Sequence, residues 1–477
     1  RLDDRRRARG VPTATHMPYQ RVLIFAWGTR GDVQPPLALA LRLKQLGKDT
    51  AMFVTPPSDG MVRQAGIECV AASEDVSGML EALATVDLSD LSFWNLIKTV
   101  KTFKAYQATP EFKAAQAADT KAGYELAVSF KPDVILHAGF EFAFWASVGE
   151  ALGVPVLRYD LQPNHPTSEI SFFKKEDGAL PKCLNKLAFQ AFNSQGIAKA
   201  QRPRALELRA IAGLSATAHR DGSPLVLPPD LPQMCAMSPS FVPQPTDWPP
   251  LKEMVGYWMM PPSTGYQPPQ QLTAFLAAGA PPVYIGFGSM KGNPEFCKKL
   301  STMAIAALAH AKMRGILLGG WAGLTAAVLD SSTDDGSRLA EYAAANVLEL
   351  PSCPHDWLFP RCAAVVHHGG AGTTSVGLRA GKPTIICAVM SDQPWHGSLV
   401  AKKKLGLYAG MMSKVTGSSL GELLTQVVAD QTIAENVAKM GKALAAEDGA
   451  LHAHEFIERA IDTFQYPWPL SRPGPAP

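Results

Sequence analysis

Short apolar runs alternate with segments of helical periodicity along most of this 477-residue chain. Residues 22–27 are all apolar, which is typical of a strand buried on both faces of a parallel sheet. Residues 28–34 follow as a predicted loop, and a helix is predicted to begin at Pro35, because proline is tolerated in the first turn of a helix. This alternation predicts βαβ units in a doubly wound α/β fold.

The alternation occurs in two series, one in each half of the chain. In the first half, further strands are predicted at 50–54, 133–137 and 155–159, and helical segments at 80–127, 142–152 and 173–209. In the second half, strands are predicted at 283–287, 315–318, 347–350, 363–367 and 384–389, and helices at 295–312, 371–380, 393–404, 420–429 and 433–464. Two similar halves imply a cleft between them, and open parallel sheets bind ligands beyond the carboxyl ends of their strands.

Proline marks the predicted domain boundaries. Nine prolines and little periodicity at 239–269 indicate a linker between a first Rossmann-like domain at 21–238 and a second at 270–465. Five prolines at 466–477 exclude a helix there and predict an extended tail. Residues 1–20 carry five arginines in the first nine positions and no apolar stretch, which predicts a disordered lead-in or the edge of a longer chain. A transit peptide is the alternative, although the two acidic residues near the start argue against it.

Composition narrows the class of protein. The 45 basic and 42 acidic residues leave a net charge of +3, whereas nucleic-acid binding normally needs a concentrated basic face. No uncharged apolar run reaches 18 residues, so a membrane-spanning helix is not expected. The seven cysteines are scattered and form no Cys-x-x-Cys pair, which suits a reducing compartment and gives no zinc ribbon. We therefore expect a cytoplasmic, multidomain α/β protein that does not bind nucleic acid.

A glycine-rich run joins a predicted strand to a predicted helix. It reads His367-His368-Gly369-Gly370-Ala371-Gly372-Thr373-Thr374. Glycines allow a ligand to approach the backbone closely, and the start of the helix offers unpaired N–H groups and a positive dipole end, which together suit a pyrophosphate. The run is neither Gly-x-Gly-x-x-Gly nor a Walker A motif, which counts against a nicotinamide enzyme and an ATPase. A tight glycine turn without a ligand is the simpler alternative.

Several motifs together resemble those of the family 1 UDP-sugar glycosyltransferases. They are the glycine-rich run, Gly377-Leu378-Arg379-Ala380-Gly381-Lys382-Pro383-Thr384 and Asp392-Gln393-Pro394. Three further runs are similar to the sterol 3β-glucosyltransferase branch: Pro354-His355-Asp356-Trp357-Leu358-Phe359, Gly286-Phe287-Gly288-Ser289-Met290 and Gly28-Thr29-Arg30-Gly31-Asp32-Val33-Gln34-Pro35. Bacterial glycopeptide-antibiotic glycosyltransferases share much of this pattern. The matches stay in register from about residue 21 to 410, across both halves.

The resemblance implies the GT-B fold, in which two Rossmann-like domains face each other across a cleft. The first domain would hold mainly the acceptor, and the second would hold a UDP-sugar as donor substrate. The implied diphosphate-binding residues are Ser289, His367, His368, Gly370, Gly372, Thr373 and Thr374. The implied sugar-binding residues are Asp392 and Gln393, and the residues that would frame uridine are Trp321, Ser352 and His355. A core tryptophan is an equally good interpretation of Trp321.

Sugar transfer needs a base for the acceptor hydroxyl and a group that stabilises the departing diphosphate. Asp32, in the loop after the first strand, matches the family's catalytic aspartate, although an N-cap of the next helix is the alternative. Desolvation, or a partner such as His137 or His165, would have to raise its pKa. Arg30 would either steer the donor phosphates or pair with Asp32. No Asp-x-Asp occurs, so we expect an inverting reaction without a metal or other cofactor, with the helix end and His368 stabilising the diphosphate.

The acceptor is marked less clearly. The resemblance favours a lipophilic hydroxyl, a sterol first of all, and a sterol would require contact with a membrane surface. A polyketide, peptide or terpenoid aglycone and a non-catalytic UDP-sugar-binding protein remain as alternatives. Two stretches depart from the sterol branch, because Trp395-His396 stands where Phe-Trp is usual and Cys387-Ala388-Val389-Met390-Ser391 replaces a Pro-aromatic-aromatic-Gly run. Most of the many aromatic residues in the first half are expected in the core.

Overall fold

Two separate parallel sheets form the framework of the molecule. A computed structural model describes residues 19–73, 78, 93–138, 142–171, 181–191, 199–220, 222, 225, 231–288, 294–320, 323–468 and 470. Every strand pairing in both sheets is parallel, and helices connect most of the successive strands. The predicted α/β class with two Rossmann-like sheets is therefore confirmed.

The first sheet has seven strands. They are β1 (Arg21–Ala26), β2 (Asp49–Val54), β3 (Glu68–Ala71), β4 (Val134–Ala138), β5 (Val156–Asp160), β6 (Gln233–Cys235) and β7 (Lys252–Met254). Their order in the sheet is β3-β2-β1-β4-β5-β6-β7. The change of direction between β1 and β4 places the loop after β1 at the point where such sheets usually bind ligands.

The second sheet has six strands. They are β8 (Val283–Ile285), β9 (Gly315–Leu318), β10 (Val347–Leu350), β11 (Ala364–His367), β12 (Thr384–Ala388) and β13 (Gly406–Met411). Their order is β10-β9-β8-β11-β12-β13, so the loop after β11 lies at the corresponding position of this sheet.

Sixteen helices of four or more residues surround the sheets in the described part of the chain. Those of the first half are α1 (Arg30–Gln45), α2 (Asp59–Gln64), α3 (Phe93–Gln107), α4 (Pro110–Phe130), α5 (Phe142–Leu152), α6 (Lys182–Ala191) and α7 (Lys199–Ile211). Those of the second half are α8 (Gln270–Ala277), α9 (Pro294–Ala311), α10 (Asp334–Asn346), α11 (His355–Leu358), α12 (Ala371–Arg379), α13 (Gln393–Lys402), α14 (Gly417–Ala429), α15 (Gln431–Ala446) and α16 (Gly449–Thr463). None of the helices described here is long and apolar enough to cross a membrane.

The apolar run of β1 is buried because helices cover both faces of its sheet. Val22 and Ile24 belong to a core that includes residues of α1 and α16. Leu23 and Phe25, which alternate with them, belong to a second core with Trp145 on the opposite face. Period-two alternation between two apolar layers thus accounts for the uninterrupted apolar run that follows Arg21.

The first helix begins earlier than predicted. The sequence suggested a loop at 28–34 and a helix from Pro35, but α1 begins at Arg30, and both prolines lie inside it. Thr29 and Asp32 form a capping box, which satisfies donors at the helix start and fixes it upstream of the prolines. Asp32 is therefore the third residue of the helix and neither a loop residue nor the N-cap.

The predicted linker at 239–269 is partly wrong. It contains β7, which pairs with β6 and completes the first sheet, and its Trp258 is buried in the first core. The prolines do not interrupt this strand, because they lie before and after it at an edge of the sheet.

The C-terminal part of the chain returns to the first half. The helix predicted at 433–464 is interrupted after α15, and α16 packs on α1, so the predicted second domain at 270–465 ends with a helix that belongs to the first core. The returning chain passes close to the outgoing one, since a Cβ on Gly449 would lie 2.5 Å from the carbonyl carbon of Gly256. At this crossing, the backbone at Gly449 packs directly against the backbone at Gly256.

Both ends of the described chain lie against the first sheet. The predicted tail is not helical where it is described, and Trp468 is buried, with its indole N–H donating to the Val154 carbonyl at 3.2 Å. Tyr19, which was assigned to the disordered lead-in, is buried in the first core. Residues 1–18, the rest of the predicted lead-in, and residues 471–477 of the tail lie outside the described residues.

Candidate active site

Asp32 lies just beyond the carboxyl end of β1 and is held there by its own helix start. The Thr29 backbone N–H donates to Asp32 Oδ2 at 2.8 Å, and the Thr29 hydroxyl donates to the same oxygen at 3.1 Å. Gly28 makes this approach possible, because its φ is +130° and a Cβ there would lie 2.3 Å from Oδ2. Both hydrogen bonds that Asp32 accepts from the described residues end on Oδ2, so Oδ1 is available to a ligand.

The electrostatic environment makes Asp32 a better base than an ordinary aspartate. Protein surrounds this solvent-accessible carboxyl group closely enough that desolvation raises its pKa to about 6, against the opposing effect of the Thr29 hydrogen bonds. The negative charge of Asp392 adds to the rise in pKa. Asp32 of the first half and Asp392 of the second therefore lie within electrostatic range of each other.

The partners suggested for Asp32 bind elsewhere. His137 Nδ1 lies 2.9 Å from the Ala138 carbonyl, and His165 Nδ1 lies 3.2 Å from the Gln233 side chain, so burial and not a histidine raises the pKa of Asp32. The suggested pairing of Arg30 with Asp32 is wrong, since the Arg30 side chain donates to Gln34 at 3.2 Å.

The glycine-rich run forms the start of α12. Gly370 is the N-cap, and among the described residues no side chain caps this end of the nine-residue helix. Gly372 is exposed, and a Cβ there would meet nothing within 4 Å. The N–H groups of the first turn are thus accessible in the way that an anion site requires. Thr373 lies in this turn, but the buried Thr374 hydroxyl already donates to the Gly370 carbonyl at 2.9 Å.

His368 is enclosed by glycines at the base of this loop. A Cβ on Gly370 would lie 2.6 Å from His368 Nε2, and one on Gly288 would lie 2.9 Å from Cε1. Burial lowers the pKa of His368 to about 4, with Asp392 opposing the shift and His396 adding to it. The ring is therefore neutral near pH 7, where it offers a diphosphate a hydrogen bond and not a full charge.

His367 does not face the cleft, contrary to the prediction that it binds the donor. It is fully buried, its Nδ1 accepts a hydrogen bond from the Gly369 N–H at 2.9 Å, and burial lowers its pKa well below the usual value. Consecutive residues at a strand end point to opposite sides, so only His368 of the pair can reach a ligand.

Asp392 and Gln393 lie at the loop between β12 and α13. The preceding residue, Ser391, has a φ of +57°, a strained conformation for a residue with a Cβ and one that sets the direction of Asp392. The Gln393 side-chain oxygen accepts hydrogen bonds from the N–H groups of Val389 and Met390 at 2.8 and 3.0 Å. Its NH₂ group and the Asp392 carboxylate are therefore the groups that could bind sugar hydroxyls.

The segment assigned to uridine is only partly described. Ser352 is exposed, and His355 is half-buried, stacked on Phe359 with ring centroids 4.5 Å apart and with its Nε2 3.0 Å from the Tyr284 hydroxyl. Burial, with a contribution from the charge of Arg30, lowers the pKa of His355 to about 4. Ser289 and Trp321, which were also predicted to bind the donor, lie outside the described residues.

A large cavity in the described part of the chain lies away from the predicted site residues. This cavity, of about 560 Å³, opens between α1, the second half of α12 and the chain crossing, and none of the predicted site residues lines it. Within the described ranges, no group of three or more histidine, cysteine, aspartate or glutamate side chains could hold a metal ion.

Sequence reasoning missed Thr29 and His396. The capping role of Thr29 could have been predicted, because Thr-x-x-Asp before an apolar helix resembles a capping box. His396 was noted only as a departure, yet it is fully buried, and its Nδ1 lies 2.8 Å from the Gly369 carbonyl and 3.3 Å from Asp392 Oδ2. No local pattern predicts this contact across 27 residues.

Two Rossmann-like sheets, with a desolvated carboxylate after one central strand and, among the described residues, a helix start without a side-chain cap after the other, define a sugar-nucleotide transferase of the GT-B fold. Family comparisons agree: residues 22–163 match the glycosyltransferase family 28 N-terminal domain, and residues 329–453 match the C-terminal domain of erythromycin biosynthesis protein CIII-like proteins. A sterol 3-beta-glucosyltransferase of Arabidopsis thaliana is 31% identical over 96% of this chain and 70% of its own length. The chain belongs to the family 1 UDP-glycosyltransferases, in the group that contains this plant enzyme.

Other relatives show the breadth of that group. A second Arabidopsis sterol 3-beta-glucosyltransferase is 30% identical over 92% of this chain, which spans 65% of that relative. Vancomycin aglycone glucosyltransferase of Amycolatopsis orientalis is also 30% identical, over 92% of this chain and 98% of its own. Among solved structures, the calicheamicin glycosyltransferase CalG4 superposes with a TM-score of 0.62 at 18% identity, covering 93% of this chain and 99% of its own. That likeness supports the fold.

Proposed function

We propose that this protein transfers glucose from UDP-glucose to the hydroxyl group of a sterol, with inversion at the anomeric carbon and without a metal ion. The observation that carries the proposal is Asp32, a carboxylate with a pKa near 6 and a free oxygen, within electrostatic range of the sugar-loop carboxylate Asp392. The sterol and the glucose come from the plant relatives, which are named for that reaction and match 96% and 92% of this chain.

The donor would lie along the second sheet. The N–H groups of the first turn of α12 and the neutral His368 ring would bind the diphosphate. The NH₂ group of Gln393 and the carboxylate of Asp392 would bind the sugar hydroxyls. His355 and Ser352 would lie beside the uridine. Arg30, whose charge reaches His355, would steer the donor phosphates from the first half.

Transfer would proceed in one displacement. Asp32 Oδ1 takes the proton of the acceptor hydroxyl while that oxygen forms a bond to the anomeric carbon. The bond from this carbon to the UDP oxygen breaks on the opposite face, and UDP leaves with the electron pair. The helix start and His368 stabilise the negative charge that develops on the diphosphate. An α-linked donor thereby gives a β-glucoside and protonated Asp32, which returns its proton to solvent.

The acceptor class separates this proposal from its main alternative. The antibiotic relative, named for an aglycone, favours a polyketide or peptide acceptor at the same site. We expect UDP-glucose to be consumed with sterols presented in vesicles or detergent, at an undiminished rate in EDTA, and to be consumed more slowly with antibiotic aglycones. Transfer only to aglycones would favour the alternative, and loss of transfer in EDTA would rule out the metal-free reaction. A sterol acceptor also requires that the protein reach a membrane surface.

The pH dependence of transfer should report the pKa of Asp32. Because only the ionised carboxylate can accept a proton, kcat/KM should rise about tenfold per pH unit below the pKa and become level above it. With a pKa of about 6, the break should fall near pH 6 and not near the usual value of 3.8. The measurement is the initial rate at low acceptor concentration across this range. Asp335→Asn, at a surface carboxylate with 88% of its side chain exposed, should leave the profile unchanged, and a break near 4 in the wild type would contradict the prediction.

A further inference from the structure

The backbone N–H and the backbone carbonyl of Gly369 are each bound by an imidazole ring. Its N–H donates to His367 Nδ1 at 2.9 Å, and its carbonyl lies 2.8 Å from His396 Nδ1. Gly369 has a φ of +94°, and a Cβ there would lie 2.7 Å from Ile386 Cγ2, so the residue has little room to move. Gly370, the next residue, is the N-cap of α12, and the Gly369 carbonyl belongs to the peptide group that joins the two residues, so these contacts set the position of the helix start.

The two rings differ in whether Nδ1 carries a proton. His367 accepts at Nδ1 and therefore carries its proton on Nε2, whereas His396 must carry a proton on Nδ1 to donate to a carbonyl. Both rings are fully buried, and the remaining nitrogen of each has no hydrogen-bond partner among the described residues. An apolar aromatic ring at position 396 would avoid that cost. The hydrogen bond to Gly369 is the compensating interaction that the structure shows.

His396 also contacts the other part of the donor site. Asp392 lies one helical turn earlier, at the start of α13, and its Oδ2 is 3.3 Å from His396 Nδ1. His396 Nδ1 thus lies between the Gly369 carbonyl, which leads into α12, and the carboxylate of Asp392, which is predicted to bind the sugar. At this position the sterol branch that the sequence resembles usually has tryptophan.

We propose that His396 is a positioning residue that connects the diphosphate-binding start of α12 to the sugar-binding loop through the Gly369 carbonyl. This inference rests on the proposed donor site, but not on the identity of the acceptor. His396 does not touch the substrate and acts through Gly369 and Asp392. Its role is to keep the two donor-binding elements at a fixed separation before UDP-glucose arrives.

Three variants of α13 test the inference. His396→Asn places an amide NH₂ where Nδ1 stands, His396→Phe keeps an aromatic ring without a donor, and Ser398→Ala removes a hydrogen bond to the Pro394 carbonyl within the same helix, away from Gly369. Leaving a buried carbonyl without its donor should weaken UDP binding about tenfold in His396→Phe, measured by calorimetry. We expect His396→Asn and Ser398→Ala to bind UDP like the wild type. The KM for UDP-glucose should follow the same order, with the acceptor KM unchanged.

The outcomes separate this inference from the function on which it rests. Equal UDP affinity in His396→Phe and the wild type would overturn the positioning role, whereas a wild-type protein that binds no UDP would overturn the donor site itself. Nitrogen-15 NMR of labelled histidine in the wild type tests the inference without any variant that could unfold. The signal of His396 should show a protonated Nδ1 and that of His367 a protonated Nε2. An unprotonated Nδ1 at His396 would overturn the proposed contact.

Discussion

Asp32→Asn is expected to lower kcat roughly 100- to 10,000-fold, the range that general-base catalysis usually contributes. The asparagine oxygen can still accept the hydrogen bonds from Thr29, but the amide cannot take a proton from the acceptor. The KM for UDP-glucose should change little, because the donor groups lie on the second sheet. Steady-state rates at saturating concentrations of both substrates measure the effect.

Stability separates this loss from unfolding. An acid whose pKa is raised on folding keeps its proton after the unfolded chain has lost its own, so stability falls as pH rises from 3.8 to about 6 and stays lower above that range. Asparagine carries no charge and avoids this cost. Asp32→Asn should therefore melt at the same or a higher temperature than the wild type at neutral pH. A folded variant with wild-type kcat would remove Asp32 as the base.

Glu150→Gln is expected to destabilise the first half by about 3–5 kcal/mol, because it leaves a buried arginine without its counter-ion. Arg209 Nη1 lies 2.7 Å from Glu150 Oε2, and only 1% of each side chain is exposed. His219 Nδ1 lies 2.8 Å from the same oxygen, and the Arg220 N–H donates to the other oxygen at 2.9 Å. The cluster attaches the chain after α7 to α5. Denaturant unfolding measures the loss of stability.

Two comparisons isolate the buried pair. Glu125→Gln removes the exposed Lys121–Glu125 pair, whose atoms are 3.8 Å apart, and should cost less than about 1 kcal/mol. A Glu150→Leu/Arg209→Met double variant should recover much of the stability lost by Glu150→Gln, since apolar residues can replace a buried pair. Equal costs for the exposed and buried single variants would contradict the account.

The buried Glu150–Arg209 pair should also make the free energy of unfolding depend on pH in the acidic range. Burial alone would raise the pKa of Glu150, but hydrogen bonds from Arg209 and His219, with the charge of Arg209, hold it below its usual value of 4.5. The stabilisation is therefore fully present above pH 4.5 and is lost as pH falls through the lower, folded-state pKa. Glu150→Gln should remove this part of the acid dependence, and unfolding curves recorded at several acidic pH values would show it.

Several strands could be predicted because their signal is local. The predictions at 315–318 and 347–350 coincide with β9 and β10, since each is a short, mainly apolar run. The last two strands of the first sheet gave no such signal. β6 and β7 have three residues each, and β7 lies in a proline-rich stretch that suggested a linker. Their place in the sheet depends on pairing with distant segments, which periodicity cannot show.

The packing of the helices likewise depends on tertiary contacts. The return of α16 to α1 depends on the crossing at Gly256 and Gly449, nearly 200 residues apart in the chain, and nothing in the sequence of α16 marks its partner. The early start of α1 was a local signal outweighed by two conspicuous prolines. The capping box formed by Thr29 and Asp32 fixes the helix start five residues before the first proline.

For the site, motifs gave positions but not contacts. Resemblance assigned His367 and His368 together to the donor, whereas the structure buries His367 beneath Gly369 and leaves only His368 beside the helix start. Thr374 was assigned as a donor to phosphate, but its hydroxyl is used within α12. The raised pKa of Asp32 depends on its desolvation and on Asp392, which lies 360 positions later, so the residues next to Asp32 in the sequence could not have predicted it.

The anomeric configuration of the product tests the account most directly. The protein would be incubated with UDP-glucose and a sterol in vesicles, and the glycoside would be analysed by proton NMR. We predict a sterol β-glucoside, identified by the large coupling between its first two sugar ring protons, together with one UDP released per glucoside. An α-glucoside would contradict the single displacement assisted by Asp32, and release of free glucose with no sterol glucoside would contradict the proposed transfer.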